Sequence, residues 1–89
     1  MAENIGQITE DVDALAAEFE AQAGVLEDLK TAISAKLAGT VWTGPDRDRF
    51  EADWEGAMSQ NVTQVVQQLR GASQQATQNA QEQRDASNS

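Results

Sequence analysis

At 89 residues with no cysteine and no histidine, the chain lacks both disulfides and the usual zinc ligands to reinforce a core that is small at this length. Its net charge of −9 and six scattered basic residues exclude nucleic-acid binding by counterion release and disfavour an anionic membrane surface. Oligomerisation remains as the remedy for a small core.

The opening stretch, MAENIGQITEDVDA, has neither a basic n-region nor an apolar h-region, so no cleaved signal peptide is expected. No apolar run approaches the roughly 20 residues that span a bilayer. The expectation is cytoplasmic synthesis and no stable membrane insertion, with any export by a route other than the general secretory one.

From Ile8, apolar residues recur at Val12, Leu15, Phe19, Leu26, Leu29, Ile33 and Leu37. The steps are of three and four, with Gln22 on the one missing rung, which predicts a first helix over about 8–38. Ala16, Ala23, Val25 and Ala32 widen the stripe enough to pack against more than one neighbour. Thr9, followed by Glu10, Asp11 and Asp13, reads as the helix start, with Asn4 and Gln7 as a competing earlier cap. Lys36 and Gly39 read as its end, the glycine being free to turn left-handed. Gly24 costs about 1 kcal/mol against alanine in mid-helix and is a candidate for close helix approach.

Residues 39–44 form the predicted turn, and a second helix follows over about 45–82. Pro45 suits its first turn, and Thr43 with Asp46 resembles a capping box. Its stripe runs Phe50, Trp54, Met58, Val62, Val65, Leu69, Ala72, Ala76, Ala80. Beyond about residue 71 it holds only alanine, so that end is expected to pack weakly, with a disordered tail over about 83–89. The many glutamines of this half are good helix formers expected to face water. The fold class is therefore all-α: one domain, residues 1–89, an antiparallel helix–turn–helix hairpin. A lone hairpin cannot shelter two wide stripes, so it is expected to dimerise into a four-helix bundle.

Nothing in the chain assembles catalytic chemistry. Nucleophile–histidine pairs are impossible without histidine, and there is no glycine-rich phosphate loop. Asp11 and Asp46 each open a superficial calcium loop. Both loops lack glycine at the sixth position, where Ala16 and Glu51 stand, and glutamate at the twelfth, where Gln22 and Ala57 stand. The expectation is a protein that is not an enzyme and has no metal site or cofactor.

Trp42-Thr43-Gly44 lies between two long helical stripes in a chain of roughly hundred-residue size without a signal peptide. That conjunction resembles the WXG family, the small Trp-X-Gly proteins related to the early secreted antigenic target. The stretch WTGPDRDRFEADW looks like the turn and second-helix start of actinobacterial members. Trp54-Glu55-Gly56 also matches Trp-X-Gly, but Trp54 falls within the second stripe and reads as core.

The resemblance spans essentially the whole chain. It implies a dimer, with itself or with a WXG paralogue, and folded export by a type VII (ESX-like) secretion system driven by an FtsK/SpoIIIE-type ATPase. It also implies that Trp42, Gly44 and the C-terminal segment are read by that machinery. Many exported members carry a Tyr-x-x-x-Asp/Glu signal after the second stripe. This chain has no tyrosine, and Ala76 and Ala80 occupy the aligned places. The export-recognition candidates are therefore Trp42, Ala76 and Ala80, with the signal either degenerate or supplied by a partner. Trp42 has two readings, a plug for the end of the core or a recognition surface. The alternative function is a cytoplasmic helical adaptor that covers its stripes with a larger client such as a toxin.

Overall fold

In the computed structural model, which describes residues 2–88 and the side chains of residues 6–88, two long antiparallel helical arms lie side by side. The first helix, α1, spans Ala2–Gly39. It begins ahead of both expected caps. Thr9 sits inside it, buried, its hydroxyl donating to the Gly6 carbonyl at 2.9 Å. Hydroxyls at helix interiors take this backward bond when no free N–H is at hand. The side chain of Asn4 lies outside those described.

The end of α1 falls where the glycine places it, but not by a left-handed turn. Gly39 is the last helical residue, and among the described residues only Gly44 has a positive φ. Thr40 closes the end, its N–H donating to the Leu37 carbonyl at 3.3 Å and its hydroxyl to that of Lys36. Gly24 marks no close approach, because a Cβ built there meets nothing within 4 Å.

The second arm is a succession rather than one helix. α2 spans Pro45–Asp53, a π-helical turn covers Trp54–Met58, and α3 spans Ser59–Asn88. Pro45 stands in the first helical turn as expected, with Asp46 and Asp48 near the positive end of the dipole. The expected capping box does not form. Gly44 is the N-cap and no side chain caps the helix. In the π turn the Ser59 N–H reaches back to the Trp54 carbonyl, five residues away, and Gly56 leaves helical geometry at φ −91°, ψ −111°. An inserted residue of this kind shifts the face of everything that follows it.

Helix α3 runs to Asn88, through the segment read as a disordered tail, while Ser89 lies outside the described residues. Alanine propensity carries the helix where packing is thin, and Arg84 fastens it to Asp13 of α1. The glutamines of this arm, Gln60 to Gln83, are exposed as expected.

The two arms meet along a seam of small side chains. On α1 the buried positions are Thr9, Ala16, Ala23 and Leu37, with half-buried Lys30 completing a seven-residue spacing. Opposite them lie buried Val66 and Ala80 with half-buried Ser73. The whole is a rod of 66 × 17 × 12 Å, one helix layer thick.

Candidate functional site

Helical phase divides the rod into two unlike faces. At about 100° per residue, positions four after each seam residue of α1 turn to one side: Asp13, Glu20, Glu27 and Ser34. The same offset on α3 gives Arg70 and Arg84. These meet across the seam. Arg70 donates through Nε to Glu20 at 3.2 Å and pairs with Glu27, and Arg84 pairs with Asp13. The hydrogen bond with Glu27 is the main reason the Arg70 guanidinium is held above its ordinary value; burial opposes it and Glu20 adds to it.

Three further bonds close the polar face. Lys30 donates to the Thr63 hydroxyl at 2.8 Å, Ser73 to the Ala16 carbonyl at 2.7 Å, and the Trp54 indole to the Ser34 hydroxyl at 2.9 Å. An open groove of about 720 Å³ runs along this face past Lys30 and Arg70, and both cations are engaged within the hairpin.

The other face is apolar. Positions one before the α1 seam are Ile8, Leu15, Gln22, Leu29 and Lys36, and positions three after it are Val12, Phe19, Leu26 and Ile33. On α3 the same offsets give Val65, Ala72 and Asn79, and Leu69, Ala76 and Gln83, so the row is apolar near the turn and polar at the open end, with Met58 and Val62 flanking it. Because the ion pairs hold the positive offsets of both helices together, the apolar rows of both helices share the opposite face. Leu15 is 51% exposed and Leu29 41%.

Most of the predicted stripe is thus not the core of the hairpin. Of it only Leu37, Trp54 and Ala80 are buried, with Ala16 and Ala23 of the residues that widen it; Phe50, Met58 and Val65 are exposed, and Val12, Phe19, Leu26, Val62 and Leu69 are half-buried. The chain exposes 6435 Å², against about 5,100 Å² for a compact monomer of its mass. The surplus, about 1,300 Å², exceeds the roughly 800 Å² each partner gives to a standard protein interface.

The turn presents a second surface. Trp42 is 39% exposed and packs on Phe50, ring centroids 6.0 Å apart and planes tilted by 48°. Val41 beside it is fully exposed. Trp42 therefore does not plug the core of the hairpin; Trp54, 3% exposed, is the buried tryptophan, as its place in the stripe indicates. Gly44 adopts φ 118°, ψ −179°, a region that side chains do not tolerate, which gives the glycine of Trp42-Thr43-Gly44 a backbone reason. Gly44→Ala is expected to cost about 1–3 kcal/mol in a urea titration. Gly39→Ala, at a glycine with no positive φ, serves as the control and is expected to lose nothing.

The structure separates the remaining candidates. Ala76 is half-buried on the apolar side, while Ala80 is buried in the seam, where no partner reaches it while the hairpin is closed. Sequence reasoning missed the seam itself and the polar clasp. The signals were present: the heptad Thr9–Ala16–Ala23 of small residues, and Asp13–Glu20–Glu27 in the same spacing.

Among the described residues no cluster of three or more acidic side chains is placed to hold a metal, and no helix is long and apolar enough to cross a membrane. No protein-family model, curated protein or solved structure matches this chain. The structure defines a class, a two-helix hairpin with one clasped polar face and one open apolar face.

Proposed function

We propose that this chain is a small non-enzymatic protein of the WXG kind, exported by a type VII secretion system as a dimer. The observation that carries the reading is Trp42-Thr43-Gly44 in the exposed connection between two antiparallel helices. There the tryptophan is held up on Phe50 rather than buried, and the glycine is required by the backbone. The apolar faces form the dimer. Trp42 at the tip, with the C-terminal segment around Ala76, is what an FtsK/SpoIIIE-type ATPase reads. Two observations favour a second reading, the cytoplasmic adaptor: no tyrosine stands near Ala76, and Ala80 is hidden in the seam.

Export decides between them. Culture medium and lysate of the native host are compared with and without the type VII ATPase, with a cytosolic marker to exclude lysis. ATPase-dependent appearance in the medium is the expected result. Retention in a host whose secretion system is active on another substrate assigns the adaptor role instead.

A further inference from the structure

We infer that the π turn at Trp54–Met58 is a phase-setting joint. It takes up one residue more than a regular helix could hold in register, and so fixes the direction in which the tip carrying Trp42 faces. The inference does not depend on the export reading. Three observations carry it.

The first is a jump of phase in the pattern of burial. Along α3 the inward positions Ser59, Val66, Ser73 and Ala80 keep a seven-residue spacing. Beyond the turn the inward positions are half-buried Arg47 and Glu51 and buried Trp54. Wound back from Val66 as one regular helix, at about 100° per residue, those three would point about 60–120° away from the seam. With one residue left out of the winding, all three fall within about 40° of it. The bond from the Ser59 N–H to the Trp54 carbonyl, five residues back, is where that residue is absorbed.

The second is what each phase would bury. A regular helix would set Glu55 on the seam and turn Trp54 out beside Val65 on the open face. The π turn does the reverse. Trp54 is buried, its indole N–H donating to the Ser34 hydroxyl at 2.9 Å, and Glu55 is exposed. A carboxylate in the seam is the costlier occupant, so the residues themselves select the π phase.

The third is that the tip has no anchor of its own in the second arm. Among the described residues, none of α2 is buried, and Gly56, at ψ −111°, is where the arm leaves helical angles. The phase set at Trp54 is therefore carried along α2 to Phe50, and through the ring contact to Trp42. With the extra residue taken up, Phe50 stands in line with Leu69, on the side of the open apolar face. A regular helix would turn it about 100° further, to the back of the arm.

Removing and adding one residue tests the joint, in a Trp42→Phe protein so that Trp54 is the sole tryptophan. Deletion of Gly56 leaves a regular helix with Trp54 still on the seam. It is expected to keep the blue-shifted emission and the protected indole proton, with a melting temperature at or above that of the parent. Insertion of one alanine after Gly56 is expected to drive Trp54 out, with quenching by acrylamide several-fold faster and melting lower by about 10 °C or more. In an ordinary helix the two changes would turn Trp54 by equal angles and do equal harm. Exposure of Trp54 or loss of the fold on deletion overturns the inference, as does an insertion tolerated as well as the deletion. Spin labels read the direction of the tip. Labels on Phe50→Cys with Val62→Cys are expected to lie closer together than labels on Phe50→Cys with Gln64→Cys. The opposite order would put the tip on the back and overturn its assigned direction.

Discussion

Trp54→Ala is expected to lower the stability of the protein by about 3–5 kcal/mol, the usual cost of deleting a buried large aromatic, and at this chain length that loss unfolds a large share of the molecules at 37 °C. Trp54 carries this weight because, beside Leu37 and Val66, the rest of the seam is small. Thr9, Ala16, Ala23 and Ala80 allow close approach but bury little apolar surface of their own, while Trp54 is the one large aromatic set within it. Its removal also strands the Ser34 hydroxyl, which accepts the indole N–H at 2.9 Å. The comparison is with Trp42→Ala. That ring is partly exposed and meets Phe50 with centroids 6.0 Å apart and planes tilted by 48°, an aromatic contact worth about 1 kcal/mol. Thermal and urea melts followed by circular dichroism measure both. Equal losses for the two tryptophans would overturn the assignment of core to one and surface to the other. Under the proposed function the order reverses for export, which Trp42→Ala abolishes in a folded protein.

Leu29→Asp is the second change with a large expected effect. Leu29 lies in the middle of the apolar face and is 41% exposed in the single hairpin, so a carboxylate there costs the isolated chain little. In the proposed dimer it becomes two unpaired buried charges, each carrying a desolvation penalty of several kcal/mol. Light scattering is expected to move from a dimer to the 9.6 kDa of one chain, with a lower melting temperature because only the thin seam remains. Ala14→Asp, on the exposed outer side of α1, should leave the dimer as it was. A dimer untouched by Leu29→Asp would place the interface on another surface.

The clasped polar face adds little stability for all its charges. The ion pairs of Arg70 and Arg84 are roughly half exposed, and solvent screens such pairs so that they contribute little. Their effect is orientation. By holding Asp13, Glu20 and Glu27 against α3, they rotate both helices so that the leucines and valines share one side, and the side left open is the one able to take a partner.

Much of this was legible in the residues alone. Spacing of three and four from Ile8 to Leu37, and again from Phe50 to Leu69, dictates two helices, because a helix is a local object whose period is written along the chain. Pro45 and the glycines around it place the reversal for the same reason, since they act through their own backbone angles. The burial of Trp54 and the exposure of the glutamines follow from their places on that period. Which row of α1 faces α3 was not legible. The apolar band there is wide enough to face either α3 or a second molecule. The choice fell to a narrower row of threonine and alanine that lets the arms come close, and to charges on Glu20 and Arg70 fifty residues apart. The same holds for the π turn that follows Trp54, for the fate of Trp42 and for the helix that persists to Asn88. Local propensity specifies each arm, but burial is a property of pairs, and only the tertiary structure decides which pairs exist.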